Sequence, residues 1–298
     1  MDRCVSMCDA LCVCGEAPLW LQREQHILWV DTDSRNCFTY DTAAQTCTAI
    51  NTDGYFQTIA HVAATDSISE CTYIAVLNDR VALCRKDLSI MKDLGNPLAH
   101  KPSMILGDGT AGPDGCFYFG AFNSQDLYAK EGVVLRVNRD LSIEIVAEGF
   151  ALPNGLAFNA SGDTFYVTEM FANRIHAFDV SAADSSLSNC RVFTDIPQDQ
   201  GMPDGLIIDA EGFLWSAHWQ GFRITRYDPD GTVERVVPVP VPTPTCLTFG
   251  GSDMTTLYIT TARKGLSEQQ LKDYPHSGEL FCLNTDIVGR AELECRFL

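Results

Sequence analysis

The chain has 298 residues, of which 46% are hydrophobic and 20% charged, and 39 acidic residues against 21 Lys and Arg give a net charge of −18. This length supports a full hydrophobic core, and the apolar content excludes a disordered or low-complexity polypeptide. The acidic excess repels phosphate backbones and anionic lipid surfaces, and the sequence has no local basic patch, so we expect neither nucleic-acid nor membrane partners.

The N-terminal segment bears on where the protein resides. Residues 1–9 include acidic side chains where a signal peptide has a basic start and then an apolar run. No other stretch approaches the ~20 apolar residues of a membrane span. We therefore expect a soluble cytoplasmic protein.

Thirteen cysteines raise the question of disulfides or metal binding. Their odd number and irregular spacing argue against both, and the cluster Cys4, Cys8, Cys12 and Cys14 matches neither a zinc ribbon nor a ferredoxin-type cluster. Most are therefore expected to be reduced, buried thiols, with metal binding by the cluster as the less favoured alternative.

Six short strand-like segments recur along the chain, each with an aromatic residue among β-branched neighbours. The aromatic markers are Trp29, Tyr73, Tyr118, Tyr166, Trp215 and Tyr258. They are spaced by 43 to 49 residues, a period typical of propeller blades, and each period has room for four strands. The sequence predicts an all-β fold, a six-bladed β-propeller with four antiparallel strands per blade, forming one domain over residues 1–298.

Three segments depart from this repeat. Residues 266–273 alone have helical character, and the Pro-rich run 236–244 is interpreted as an extended strand and a crossover between blades. Residues 3–13 are expected to pair with the C-terminal segment near 292–297, because an open propeller would leave strand edges exposed.

The first strand of each propeller blade lines the central channel, and the residues that begin it gather at one mouth. Counting back 11 to 13 residues from each marker selects Glu16, His61, Gly107 beside Asp108, Asn154, Asp204 and Thr245. Two carboxylates and an amide from blades distant in sequence are therefore predicted to converge.

The local sequence around these positions supports the selection. Residues 152–156 and 202–206 are near-copies in which Pro precedes and Gly follows the polar side chain, a frame that fixes a tight turn. The alternative is that Asn154 and Asp204 only cap their own turns. Glu16 favours the functional interpretation, because Glu caps turns poorly and is costly to bury without a cation.

Oxygen donors without thiolate or imidazole suit a hard divalent cation such as Ca²⁺, Mg²⁺ or Mn²⁺. Such a site polarises a carbonyl and activates water. We expect one divalent ion, and the choice among Ca²⁺, Mn²⁺, Zn²⁺, Mg²⁺ and Fe²⁺ stays open. His61 is a less favoured ligand, because a lone histidine near a channel more often serves as a structural hydrogen-bonding group.

Four motifs stand in different predicted blades: Gly-Glu-x-Pro-x-Trp at 15–20, Pro-Asn-Gly-Leu-Ala-Phe at 153–158, Pro-Asp-Gly-Leu at 203–206 and Leu-Tyr-Ile-Thr-Thr-Ala-Arg at 257–263. Together they resemble the SMP-30/gluconolactonase/luciferin-regenerating-enzyme (regucalcin-like) family. The resemblance covers nearly the whole chain in order, and it implies a six-bladed propeller that hydrolyses a sugar lactone with one divalent metal. It also implies that Glu16, Asn154 and Asp204 are the metal ligands, and that Asp204 moves a proton from the attacking water to the departing ring oxygen.

The chain departs from that family pattern on the third blade. Family members carry Arg-x-Asn-Asp-Gly there, whose Arg and Asn hold sugar hydroxyls, whereas Ile105 and Gly107 stand at those places here. The weaker candidates for substrate contact are Asp108, Asn123, Gln125, His218 and Trp219. Asn123, His218 and Trp219, like Met170, could equally be ordinary loop residues. Lys101, Arg263 or Lys264 could receive the anionic tail of a substrate such as a sulfo-sugar lactone.

The sequence therefore supports a metal-dependent aldonolactonase acting on a small-molecule lactone. One alternative keeps the metal site but hydrolyses non-sugar lactones or organophosphates, and another is a non-catalytic calcium-binding propeller or interaction scaffold. Serine-hydrolase and nucleotide-binding motifs are absent from the sequence. The oligomeric state stays open.

Overall fold

Four-stranded antiparallel sheets make up most of the structure. The computed structural model describes residues 3–64 and 68–298, in which 24 strands form six sheets of four strands each. This confirms the predicted fold class, the six-bladed β-propeller. The contacts divide the chain into two compact units of three sheets each, and the single domain over 1–298 stays a prediction.

Unit 1 contains the described residues through Asn51 together with Ile196–Ala291. Its first sheet consists of β2 (Gly15–Leu21), β3 (His26–Asp31), β4 (Asn36–Asp41) and β5 (Thr46–Asn51). Its second consists of β18 (Met202–Ile208), β19 (Leu214–Trp219), β20 (Arg223–Tyr227) and β21 (Val233–Pro238). Its third consists of β22 (Pro244–Gly250), β23 (Thr256–Thr261), β24 (Leu280–Asn284) and β1 (Val5–Cys8).

Unit 2 contains Thr52–Asp195 and Glu292–Leu298. Its first sheet consists of β6 (Phe56–His61), β7 (Tyr73–Leu77), β8 (Arg80–Cys84) and β9 (Ile90–Gly95). Its second consists of β10 (Met104–Ala111), β11 (Phe117–Asn123), β12 (Gly132–Val137) and β13 (Ile143–Phe150). Its third consists of β14 (Pro153–Phe158), β15 (Thr164–Glu169), β16 (Arg174–Val180) and β17 (Leu187–Asp195).

The aromatic markers explain where the core of each unit lies. All six are buried, and each stands in the second strand of its sheet. They pack between neighbouring sheets of the same unit: Trp20 stacks on Tyr258 at 5.7 Å between ring centroids, and Tyr118 meets Phe158 at 5.0 Å. The fourth strands are largely exposed. The buried apolar side chains of each sheet are therefore mainly those of its inner strands, and their burial stabilises these strands.

The predicted pairing of residues 3–13 with 292–297 is wrong. β1 pairs instead with β24, where Val5 lies opposite Cys282, because the last sheet draws only three strands from the C-terminal part of the chain. The C-terminal residues join unit 2: Cys295 bridges Val62 in parallel, and Phe297 is buried. Burial of these two apolar side chains in the core of unit 2 explains the different partner.

The helical and proline-rich segments are as predicted. The helix α1 (Glu268–Asp273) begins with a capping box between Ser267 and Gln270. The proline-rich run forms the end of β21, a crossover and the start of β22. None of the helices in the described part of the chain has the length and apolar character of a membrane span.

The cysteines also agree with the sequence. All thirteen lie in the described part of the chain, all are free thiols, and most are buried. Burial raises the pKa of Cys12 and Cys84 to about 12, so these interior thiols stay protonated at neutral pH.

A buried ion pair stabilises the second sheet of unit 1. Asp209 is fully buried and accepts hydrogen bonds from Trp215 Nε1 and Arg226 Nε, both at 2.8 Å. The Arg226 guanidinium also lies 3.8 Å from the centroid of the Phe213 ring and donates to Glu211. One carboxylate therefore satisfies donors on two neighbouring strands.

We expect Asp209→Ala to destabilise the protein by about 3–5 kcal/mol, because it leaves Arg226 and Trp215 with buried, unpaired donors. Urea unfolding followed by circular dichroism measures this cost. Asp179→Ala is the matched control, since it breaks an exposed ion pair with Arg191 and should change the midpoint far less. Equal effects of the two substitutions would contradict the assignment.

Candidate active site

Each first strand contains a β-bulge, where its register against the second strand shifts. The shifts begin at Glu16, Phe56, Leu106, Asn154, Pro203 and Pro244. A bulge re-aims side chains and is common beside active sites. Glu16, Asn154 and Asp204 therefore occupy matching positions in the sheets that start with β2, β14 and β18.

Unit 1 contributes two buried carboxylates at these bulges. Glu16 is 8% exposed and Asp204 1% exposed, and they stand on β2 and β18. The hydroxyl of Thr245, on the intervening strand β22, donates to the Gly15 carbonyl at 2.5 Å and ties β22 to β2. Gly205 is required beside Asp204, because a Cβ there would lie 2.5 Å from Cys246 Sγ.

The buried thiol of Cys14 is influenced by both carboxylates. Burial raises the pKa of Cys14 well above its usual value, and the charges of Glu16 and Asp204 raise it further. A hydrogen bond from Thr32 and the positive charge of Lys264 act in the opposite direction on the same thiol.

Asp31 holds the segment that carries Cys14 and Glu16, and the sequence analysis missed it. Its carboxylate accepts hydrogen bonds from the amides of Val13 and Cys14, both at 3.0 Å. Its position as the last residue of the buried strand β3 was the available signal. Next to it, Asp33 forms an ion pair with Lys264 at 2.8 Å, so the charge of Lys264 is already engaged within the protein.

Unit 2 brings Asp108 to the bulge of β14. Asp108 accepts hydrogen bonds from the amides of Gly109 and Gly155, and the nearby Thr58 hydroxyl donates to the Gly109 carbonyl at 3.2 Å. Burial raises the pKa of Asp108 to about 6, although these hydrogen bonds act in the opposite direction. Because Gly155 follows Asn154, the structure places the weaker candidate Asp108 beside a predicted metal ligand.

His61 lies away from the bulge of its strand. It is the last residue of β6, opposite Tyr73, whereas the β6 bulge is at Gln57. The count from the marker selected the wrong end because the connection between β6 and β7 is longer than the connections between the corresponding strands of the other sheets. Thr245, selected by the same count, does lie at the bulge of β22.

Asn123 and Gln125 lie at the end of β11. The Asn123 side chain accepts a hydrogen bond from the Gln125 amide at 2.9 Å and donates to Glu131 at 2.9 Å. Asn123 thus caps its own turn, and the Gln125 side chain is exposed.

His218 and Trp219 end β19. The His218 ring is fully buried: Nδ1 donates to the Gln200 carbonyl at 2.9 Å, and the Tyr227 hydroxyl lies 3.4 Å from Nε2. Burial lowers the pKa of His218 to about 4, so the ring is neutral at physiological pH. Trp219, the next residue, is half-buried.

A family model described as the SMP-30/Gluconolactonase/LRE-like region matches residues 14–263. The chain belongs to this family. The matched region contains Glu16, Asn154 and Asp204, together with Asp31 and Asp108.

Individual relatives extend the comparison within the family. Pentonolactonase XacC of Haloferax volcanii is 29% identical, over 95% of each chain, and L-arabinolactonase of Azospirillum brasilense is 29% identical, over 93% of this chain and 90% of its own. The crystal structure of regucalcin from Agrobacterium tumefaciens, described as a calcium-binding protein, covers 98% of this chain and 97% of its own, with a TM-score of 0.89 and 22% identity. That structural likeness supports the fold.

The donors available for a metal in this family member are oxygens. Among the described residues, no group of three or more His, Cys, Asp and Glu side chains is arranged to hold a metal. The set Glu16, Asn154 and Asp204 differs from such a group, because one member is an amide. Carboxylate and amide oxygens are ligands that fit a hard divalent ion.

The buried imidazole of His218 predicts an acid-sensitive contribution to stability. Above the usual histidine pKa of 6.5 the ring is neutral in both states. Between pH 6.5 and about 4 the unfolded chain takes up a proton that the folded protein does not, so this contribution falls by roughly 3 kcal/mol by pH 4. Urea unfolding of wild type and His218→Gln at pH 7 and 4.5 measures it. The variant should lose less stability on acidification, and parallel losses would contradict the assignment.

Proposed function

We propose that the protein is a metal-dependent lactonase that opens a sugar lactone to the aldonic acid. Its family membership supports this, as do two relatives named as lactonases, each matched over more than 90% of this chain. The observation that carries the proposal is the pair of buried carboxylates, Glu16 and Asp204, which stand at the bulges of β2 and β18.

Glu16, Asn154 and Asp204 would hold one divalent ion. Their oxygen donors favour Ca²⁺, Mg²⁺ or Mn²⁺, and the description of a structural neighbour as calcium-binding supports a divalent ion. When bound, such an ion polarises the lactone carbonyl and makes bound water more acidic.

Asp204 is the residue proposed to move the proton. Its carboxylate takes a proton from the water that attacks the lactone carbonyl carbon. It then returns that proton to the ring oxygen as the ring C–O bond breaks, which yields the hydroxy acid. The bulge fixes the direction of the side chain, and burial keeps bulk water from the carboxylate.

Asp108 is the proposed contact for a sugar hydroxyl. It stands beside Ile105 and Gly107, which replace the Arg and Asn of the family pattern, so it is the remaining charged hydrogen-bond acceptor in the β10 bulge. With a pKa of about 6 it is ionised at pH 7.5, and a carboxylate then accepts a charge-assisted hydrogen bond.

Replacement of the two carboxylates tests the chemistry. Asp204→Asn and Glu16→Gln should each lower lactone hydrolysis by roughly a hundredfold or more, because each replaces a negatively charged ligand of the proposed ion by a neutral amide. Asp204→Asn also removes the proposed base. A pH-indicator assay on pentono- and hexonolactones measures turnover before and after metal removal and after each divalent ion is returned. Asp179→Asn, which removes an exposed carboxylate of unit 2, is the control. Undiminished turnover by Asp204→Asn or by metal-stripped protein would overturn the mechanism.

Asp108→Ala should raise KM by about tenfold and change kcat much less, because it removes a hydrogen bond to a substrate hydroxyl rather than a group at the reacting carbon. Steady-state kinetics at pH 7.5 separates the two parameters. A larger loss in kcat than in KM would instead place Asp108 in the chemical step.

The replacement of the hydroxyl-binding pair by Ile105 and Gly107 favours a second candidate, hydrolysis of non-sugar lactones or organophosphates at the same metal site. A lactone with an anionic tail, such as a sulfo-sugar lactone, is a third substrate class. A panel of neutral sugar, anionic and alkyl lactones with a phosphotriester ranks these classes by kcat/KM. Metal binding without turnover of any of them would support a non-catalytic calcium-binding propeller.

A further inference from the structure

Cys190 is the exposed one among the thirteen cysteines, all of which lie in the described part of the chain. It stands on β17, the outer strand of the third sheet of unit 2. Its Sγ lies 3.8 Å from His176 Nδ1, and His176 Nε2 lies 2.8 Å from Glu169 Oε2. A thiol, an imidazole and a carboxylate are thus connected in series, the order in which a nucleophile is activated by an oriented base.

The backbone places the thiol there through a bulge. Ala177 lies opposite Arg191 and Asp179 opposite Ser188, so two residues of β17 face one residue of β16. Cys190 is one of the two, and its neighbour Asn189 has a left-handed φ of 49°. The bulge turns Cys190 toward His176, which in the ladder is paired with Val192.

Glu169 orients the imidazole. It is 2% exposed, accepts a hydrogen bond from the Ala151 amide at 3.2 Å and contacts Lys130 Nζ at 3.3 Å. Burial raises the pKa of Glu169, but the His176 hydrogen bond, the Ala151 amide and Lys130 together lower it below its usual value. An ionised acceptor at Nε2 requires the proton on that nitrogen, which leaves Nδ1 as an acceptor for the Cys190 thiol.

The charges around Cys190 keep the thiol protonated at rest. Burial raises the pKa of Cys190, and the Glu169 charge raises it further, whereas Arg191 lowers it. Arg191 is itself paired with Asp179 at 2.7 Å, and Arg174 with Asp195 at 3.0 Å. Reaction of Cys190 at neutral pH therefore depends on a base that removes the proton, and His176 is in place to do so.

We propose that Cys190 is a site of S-thiolation by low-molecular-weight disulfides, assisted by His176. The Cys190 thiol passes its proton to His176 Nδ1, and its sulfur attacks one sulfur of the disulfide. The disulfide bond breaks, and the leaving thiolate takes the proton from His176. One mixed disulfide and one free thiol result, with no other oxidant or reductant. None of these residues belongs to the proposed lactonase site.

The experiment treats the whole protein with oxidised glutathione at pH 7.5 and quantifies each modified cysteine by peptide mass spectrometry. Cys190 should be modified first, and His176→Asn should slow its modification roughly tenfold or more. Glu169→Gln should slow it several-fold, as expected of a positioning residue. His26→Asn is the matched control, because His26 forms a similar pair with Asp41 in unit 1.

The pH profile separates base assistance from mere exposure. In wild type the rate should be substantial at neutral pH, whereas in His176→Asn it should follow ionisation of the thiol and rise only at more alkaline pH. Circular dichroism of each variant verifies folding, and if Glu169→Gln is unfolded, the His176→Asn profile decides alone. Equal rates and profiles in wild type and His176→Asn, or earlier modification of another cysteine, would overturn the proposal.

Discussion

The β-bulge in the first strand of each sheet is the constraint from which the candidate active site follows. A regular antiparallel ladder would alternate the side chains of β2, β14 and β18 between two packed faces, where a carboxylate is costly to bury. At a bulge the ladder is interrupted and one side chain leaves the alternation. The repeat thus provides a polar position in strands that are otherwise buried and apolar, and each sheet can fill it differently.

Burial of the carboxylates at the bulges costs free energy, and neighbouring hydrogen bonds hold the backbone around them. Glu16 and Asp204 are buried, and the segment of Glu16 is held by hydrogen bonds from the Cys14 amide to Asp31, from Thr245 to the Gly15 carbonyl and from the Ala17 amide to the Glu16 carboxylate. A buried carboxylate is costly without a cation or hydrogen-bond donors, and this burial supports the proposed metal site.

The sequence predicted the fold because the relevant information is periodic. Six aromatic markers at regular spacing reflect one repeated strand, and the structure places all six in equivalent strands. Where spacing within a repeat varies, the same reasoning failed: the longer connection before Tyr73 moved the count to His61. The predicted partner of the N-terminal strand was also wrong, since β1 pairs with β24. An exposed strand edge can pair with any segment that has unpaired backbone groups and a suitable apolar face, and the sequence pattern does not say which.

Contacts that depend on bulge geometry were invisible to sequence reasoning for a different reason. Asp31 and the series Cys190, His176 and Glu169 are brought together by register shifts and cross-strand neighbours, which carry no motif at fixed spacing. Glu16, Asn154 and Asp204 were selected by their distance from the aromatic markers, and the Pro and Gly that flank Asn154 and Asp204 supported the selection.

In β10, Ile105 and Gly107 stand where the family pattern has Arg and Asn, and this difference changes the electrostatics around Asp108. Among the described residues, the groups that set the pKa of Asp108 are hydrogen-bond donors, and no cation is among them. A guanidinium at the place of Ile105 would favour the carboxylate and oppose the effect of burial. With Ile105 and Gly107 there instead, burial dominates and the pKa rises to about 6. The β10 bulge therefore holds a carboxyl group whose pKa is raised to about 6, and the substrate contact proposed for it would depend on pH.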